Sequence, residues 1–358
     1  MKAMILAAGG GTRLHPLTFN MPKPVAPIAN VPCIEYIVRL LKRHGFDDLM
    51  VNLYHYGHLI EEHLGDGRRF DLRIRYSRET ELMGTAGGVK AVEEFLREGG
   101  PFIVIGGDDL TDFDLGHVTD FHRKCGALAT IGLTEVDEPG EYGVVVTSTD
   151  GRIRQFQEKP KPGEALSNLV NTGVYVFDPA VLELIPPSTF YDFGRQLFPV
   201  LVDRGLPFYG CRLDGYWCDV GDLHQYLRSH VDVMAGRTRL AVEATEVRPG
   251  LFLQEGAEVA PDVVVDGRVL VGAGSCVESG AWFEGTVVLG ASSRVKRDAH
   301  LRHTVTWARC EVGEASRLSG VILGSDCVLG AGTDLASTVL APGTRVEGTA
   351  RALRLSWT

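Results

Sequence analysis

Over the first 235 or so residues, short apolar runs alternate with stretches of helical periodicity. Ala3–Ala8, Leu49–Leu53, Pro101–Gly106 and Ala127–Leu133 have the length and character of buried strands. Between them, Ile34–His44 places Ile34, Ile37, Val38 and Leu41 along one helical face, and Thr85–Arg97 has the same spacing. Such alternation predicts an α/β fold, an open and mostly parallel sheet flanked by helices, with ligands at the carboxyl ends of the strands. Asp150-Gly151, between Val144–Thr147 and Arg152–Phe156, predicts a hairpin and hence an antiparallel insert.

A different period begins after the charged, glycine-containing stretch near Gly236–Gly250. From Leu253 every sixth residue is apolar, through Val259, Val265, Val271, Val277, Phe283, Leu289, Val295, Leu301 and Trp307. The register slips after Trp307 and resumes unevenly at Val312, Leu318, Leu323 and Val328. Gly and small residues follow several of these positions, as in Val271-Gly-Ala-Gly and Leu329-Gly-Ala-Gly. Three hexads make one triangular coil with the apolar residue inward, so the segment predicts a parallel β-helix. It resembles the left-handed hexapeptide-repeat family. The expected division is a first domain over 1–236, a linker over 237–250 and a left-handed β-helix over 251–358.

Composition narrows the function. A net charge of −10 argues against binding nucleic acid or an anionic membrane surface, though a local cationic pocket for a small phosphorylated ligand is compatible with it. No apolar run reaches the ~18 residues of a membrane span, and the run after Lys2 is too short for a signal peptide. The seven cysteines are odd in number and form no C-x-x-C pair, as expected of a protein in a reducing cytoplasm. Lysines are scarce, 8 against 28 arginines, which draws attention to the Lys-Pro pairs at 23–24 and 159–160.

The densest chemistry follows the first apolar run: Leu6-Ala7-Ala8-Gly9-Gly10-Gly11-Thr12-Arg13-Leu14, continuing to Pro22-Lys23-Pro24. Glycines let backbone N–H groups cradle phosphate oxygens; Arg13 can fork onto phosphate and Lys23 adds a point charge. The spacing is neither a Walker A loop nor a dinucleotide fingerprint. Gly106-Gly107-Asp108-Asp109 ends another apolar run, and Asp219 lies in Tyr216-Trp217-Cys218-Asp219-Val220-Gly221. Two such aspartates have the chemistry of a Mg²⁺ site completed by phosphate and water.

Taken whole, L-A-A-G-x-G-T-R-L-x-P-L-T-x-x-x-P-K-P resembles the signature of the sugar-1-phosphate nucleotidyltransferases. The resemblance implies a Rossmann-like catalytic domain and transfer of a nucleotidyl group from a nucleoside triphosphate to a sugar 1-phosphate, with release of pyrophosphate. It implies catalytic roles for Arg13, Lys23, Asp108 and Asp219, and Mg²⁺ on Asp108 and Asp219. Nucleotide binding falls on Leu6, Ala8, Gly9, Gly10, Gly11, Thr12, Arg13, Glu79, Gly84 and Thr85. Sugar-phosphate binding falls on Tyr142, Gly143, Glu158, Lys159, Asn171 and Thr172. The family's usual Asn before Gly-Asp is Gly106 here, and Asp109 stands where an apolar residue is common.

Glu79 is an acceptor and guanine offers adjacent N–H donors, which suits GTP. The Leu82-Met83-Gly84-Thr85-Ala86-Gly87 segment, the Asn171-Thr172-Gly173-Val174-Tyr175 run and the short hexad tail resemble the mannose-1-phosphate guanylyltransferases, which implies GTP and mannose 1-phosphate as substrates. Thymidylyl, uridylyl and adenylyl transfer to glucose 1-phosphate use nearly the same motifs. Two further readings are a catalytically silent regulatory subunit and a bifunctional enzyme with an acyltransferase β-helix, for which His300 and His303 would be bases. The β-helix is expected to mediate homo-oligomerisation. His55, His58 and His63 have no acidic or cysteine partner at metal-ligand spacing; Trp282 and Trp307 read as β-helix packing.

Overall fold

The computed structural model describes residues Met1–Glu347; positions 348–358 of the expected β-helix segment lie outside them. The chain folds as two compact units that do not follow simple sequence order. The first comprises Met1–Gly10, Pro22–Val25 and Cys33–Asp219; the second comprises Gly11–Met21, Ala26–Pro32 and the chain from Val220.

The main sheet of the first unit runs in the order Ile153–Glu158, Gly143–Thr147, Leu169–Phe177, Phe102–Gly106, Lys2–Leu6, Asp48–Leu53, Arg73–Arg78. Lys2–Leu6 lies parallel to both Asp48–Leu53 and Phe102–Gly106, so the ends of three strands meet where the glycine loop begins. These central strands are apolar on both faces because helices cover them. The expected hairpin at Asp150-Gly151 joins Gly143–Thr147 to Ile153–Glu158 antiparallel. Leu169–Phe177 then returns antiparallel to Phe102–Gly106, which makes the sheet mixed. The predicted helix over 34–44 is found at Cys33–Arg43; that over 85–97 is divided into Gly84–Ala91 and Glu93–Arg97. Phe102, Phe177, Phe193, Phe198 and Phe208 fill the core beneath the insert.

In the second unit two parallel sheets alternate along the chain, the arrangement of a parallel β-helix. Its first full coils are eighteen residues long, since Val264 pairs with Trp282 and Trp282 with His300. Later coils are seventeen, with His300 on Arg317 and Arg317 on Asp334. The change occurs between Glu284 and Val287, where the next coil is one residue shorter. Leu289 therefore pairs with Thr306, and Thr306 holds the inward position expected for Trp307. Trp307 occupies the place of Gly290 and Gly324 in neighbouring coils, and its indole Nε1–H donates to Tyr226 Oη at 2.7 Å. Trp282 also departs from the expected packing: it is 46% exposed and stacks on His300 with ring centroids 4.7 Å apart.

The stretch expected as a linker over 237–250 includes the strand Thr245–Arg248, paired antiparallel with Leu251–Leu253. No helix among the described residues is long and apolar enough to cross a membrane.

Candidate active site

The ends of the central strands set the site. After Leu6 the chain leaves the sheet as a loop, and Gly107 N–H donates to the Leu6 carbonyl at 2.9 Å, which places Asp108 beside the start of that loop. Trp217–Asp219 pairs antiparallel with Asp109–Thr111, with Asp219 opposite Asp109. Lys23 lies between these acids. Its Nζ is 2.8 Å from Asp108 Oδ2 and 3.3 Å from Asp219 Oδ1. Burial opposes the ammonium charge, yet Asp108 and Asp219 outweigh it and hold Lys23 above the ordinary lysine range.

The two adjacent aspartates have different settings. Asp108 is partly exposed, whereas Asp109 is buried and its carboxyl is pushed well above the usual range by burial, then by Asp108 and Asp219. Asp109 Oδ2 rests against the backbones of Gly106 and Gly173, where a Cβ would stand only 2.4 and 2.6 Å from it. The unusual Gly-Gly-Asp-Asp thus has a steric logic: glycine at 106 gives the second carboxylate somewhere to go. The Asp109 carbonyl also accepts from the buried Cys33 thiol at 3.5 Å.

On the other side, Glu79 and Gly84 flank a short loop. Glu79 Oε1 accepts from Asn52 Nδ2 at 2.7 Å and Glu79 Oε2 from Met83 N–H at 3.0 Å. Gly84 has φ 73°, and a Cβ there would meet the Tyr191 carbonyl, so the glycine serves the approach of the 187–193 loop. Thr85 lies in the first turn of the helix and its hydroxyl is engaged within the protein, donating to Asp192 Oδ2 at 3.0 Å and accepting from Phe193 N–H at 2.8 Å.

The sugar-side candidates also converge. Gly143 and Glu158 face each other across the hairpin, and Glu158 Oε2 lies over the backbones of Gly143 and Gly194. Lys159 is exposed, with a left-handed φ of 46°, and its N–H donates to the Tyr142 carbonyl. Tyr142 packs edge-on against Trp217, whose indole N–H donates to the Thr172 carbonyl. Asn171 Nδ2 donates to Tyr175 Oη, while the Thr172 hydroxyl is buried and donates to Gly132 O. Leu6, Ala8, Gly9 and Gly10 belong to the first unit with these residues; Gly11, Thr12 and Arg13 belong to the second. There Thr12–Leu14 forms a short 3₁₀ turn entered through Gly11 at φ 59°, whose carbonyl accepts from Thr18 Oγ1.

Residues 2–236 match the Nucleotidyl transferase family. The chain belongs to that family. Within it the relatives are sugar-1-phosphate nucleotidyltransferases. A UTP–glucose-1-phosphate uridylyltransferase from Synechocystis sp. is 38% identical, covering 95% of this chain and 92% of that one. Mannose-1-phosphate guanylyltransferase 1 from Arabidopsis thaliana is 32% identical, with 91% of each chain covered. A solved structure from Bacillus anthracis, assigned as a glucose-1-phosphate thymidylyltransferase and complexed with sucrose, superposes with a TM-score of 0.60. It is 26% identical and spans 67% of this nucleotidyltransferase and 96% of its own chain.

Sequence reasoning missed two residues that hydrogen-bond to the candidate site residues, Asn52 and Asp192. Asn52 carried a signal: a polar side chain near the carboxyl end of an otherwise apolar run, Leu49–Leu53. Asp192 gave none, because its partner Thr85 is remote in sequence. His63, for which the sequence offers no partner at metal-ligand spacing, pairs with Glu35 at 2.6 Å. His303 lies over Gly285, and His300 stacks on Trp282. All seven cysteines are free.

Proposed function

We propose that the chain joins a nucleoside triphosphate to a hexose 1-phosphate. A phosphate oxygen of the sugar attacks the α-phosphorus in line, the bond from that phosphorus to the bridging oxygen breaks, and pyrophosphate leaves. The nucleophile is already an anion, so the reaction needs positioning and charge neutralisation and no side-chain nucleophile. The observation that carries this reading is the buried Lys23 flanked by Asp108 and Asp219 at the strand ends beside the glycine loop.

Asp108 and Asp219 suit Mg²⁺: both are partly exposed hard-oxygen donors, and their carboxylates converge on one cation, Lys23. Among the described residues no cluster of three or more His, Cys, Asp or Glu forms a complete protein cage, and Mg²⁺ in a phosphate site needs none. A bound Mg²⁺ supplies charge neutralisation to phosphate oxygens. In this reading Lys23 contacts the α-phosphoryl group, Lys159 the sugar phosphate, and Arg13 the departing phosphates. Glu158, Asn171 and the Tyr142-Gly143 edge receive the sugar.

For the donor, the 38% relation to a uridylyltransferase over nearly the whole of both chains supports UTP with glucose 1-phosphate first. GTP with mannose 1-phosphate is the second reading, supported by the guanylyltransferase relatives and by the acceptor Glu79 at the base-side segment. Each Glu79 oxygen already accepts one hydrogen bond from the protein, which leaves the carboxylate less free to receive guanine. Free thiols throughout favour a cytoplasmic setting, and the β-helix is the surface proposed for self-association. The test is pyrophosphate release with Mg²⁺ across five triphosphates and the 1-phosphates of glucose, mannose, galactose and N-acetylglucosamine. The largest kcat/KM is expected for UTP with glucose 1-phosphate. Dominance of GTP with mannose 1-phosphate replaces the donor and keeps the chemistry; silence across the grid overturns the reaction and favours the regulatory-subunit reading.

A further inference from the structure

Asn52 sits at 3% exposure near the end of its strand, in register with Leu6, where the glycine loop leaves the sheet. Its Oδ1 accepts from Ala7 N–H, the first N–H of that loop, at 2.8 Å. This fixes the amide, because a backbone N–H can only donate, so Nδ2 must face Glu79. Glu79 Oε1 accepts that Nδ2–H, and Glu79 Oε2 accepts the N–H of Met83, the residue before Gly84. One continuous chain of hydrogen bonds therefore runs from the glycine loop to the base-side segment. Gly88 leaves space for it, since a Cβ there would stand 2.8 Å from Glu79 Oε1 and 3.0 Å from Asn52 Nδ2.

We propose that Asn52 is a positioning residue for the nucleotide, acting through Glu79 to hold the glycine loop and the 79–84 segment in the one relative placement that accepts a triphosphate and its base together. The proposal rests on the nucleotidyl-transfer reading. The polarity of the relay is dictated from its two ends. Ala7 and Met83 both donate, so the pair between them must show an acceptor at each end and make one donor–acceptor contact in the middle. The native amide and carboxylate do this. Asn52→Asp combined with Glu79→Gln does it equally, at the same net charge and with the middle contact reversed. Asn52→Asp alone sets two acceptors face to face, and Glu79→Gln alone leaves two donors opposed at one contact.

The experiment is the complete square on the full chain: wild type, Asn52→Asp, Glu79→Gln and the double variant. The readouts are the Kd for UTP and for GTP by calorimetry, kcat with Mg²⁺, and the thermal midpoint. Each single variant is expected to weaken triphosphate binding about tenfold, with kcat at saturation changed about twofold or less. The double variant should return to within about threefold of wild type without a change in base preference. Where Asn52→Asp does not fold, the comparison of Glu79→Gln with the double variant still decides, because the second substitution must then improve binding. Losses that simply multiply in the double variant overturn the relay. So does a double variant restored in thermal midpoint but not in nucleotide affinity, which would assign the Glu79 charge to the base itself. A wild-type protein that binds triphosphate but turns over no sugar phosphate overturns the reaction and leaves the relay to be judged on the four Kd values.

Discussion

Asp219 allows chemistry and fold to be separated at a single atom. Its side chain is partly exposed, and asparagine preserves its shape beside Lys23, which keeps Asp108 as a partner. Asp219→Asn should lower kcat by about a hundredfold or more, through lost metal and phosphate charge balance, while the thermal midpoint moves by only a few degrees. Steady-state kinetics with a melt on the same sample checks this; near-wild-type turnover would remove Asp219 from the metal assignment. Gly88 offers a second residue-level test with the opposite stability sign. It lies within the Gly84–Ala91 helix, where alanine is favoured over glycine by roughly 0.5–1 kcal/mol. The added Cβ would nonetheless press on Glu79 and Asn52. Gly88→Ala should therefore raise KM for the triphosphate several-fold without loss of thermal stability. An unchanged KM would mean that the carboxylate steps aside without consequence. The lysine and the two acids were legible in sequence as motif positions, and so was Glu79. What Glu79 touches was not, because its direction depends on Asn52, which lies 27 residues earlier on another strand.

At the level of elements, the strands and the hairpin were readable because period, length and turn residues agree locally. The β-helix was readable for the same reason up to the coil where one residue is missing. There the sixfold count still lands on an apolar residue, Trp307, although the inward position has passed to Thr306. A large side chain where the neighbouring coils carry Gly290 and Gly324 needs another destination, and Trp307 finds it on the Leu223–Met234 helix. Its Nε1–H donates to Tyr226 Oη, whose own hydrogen is given to the Pro27 carbonyl. Trp307→Phe deletes the donor and trims a buried ring, so it should cost about 2 kcal/mol or more and leave kcat unchanged. A thermal melt and a turnover assay on the full chain check both halves. If the melt does not move, the indole hydrogen bond contributes nothing to the second unit.

At the scale of the whole molecule, acid should act on both compact units through the same chemistry. His122, in the first unit, is buried beside Thr130, and burial lowers its pKa to about 4. His230, in the second, is buried with Nδ1 accepting from Ala29 N–H, and burial lowers its pKa to about 3. Both are neutral when folded and take a proton more readily when unfolded. Their contribution is thus complete above the ordinary histidine value of about 6.5 and is lost as pH falls toward the folded values. Each unit should lose about 1.4 kcal/mol per pH unit in this window, or roughly 2–3 kcal/mol by pH 4.5. Glu35 adds a later loss in the first unit alone. Burial opposes its charge, but hydrogen bonds from His63 and Arg39 hold its pKa at about 2. That stability is complete above the ordinary glutamate value of about 4.3 and disappears as pH falls through about 2. Denaturant midpoints measured from pH 7.5 to 4 should therefore begin to fall near pH 6.5, above the ordinary carboxylate range, with the fall in the first unit reduced by Asp109, whose raised carboxyl gains stability on taking a proton. A profile flat down to pH 5 would show that one or both histidines are charged in the folded protein.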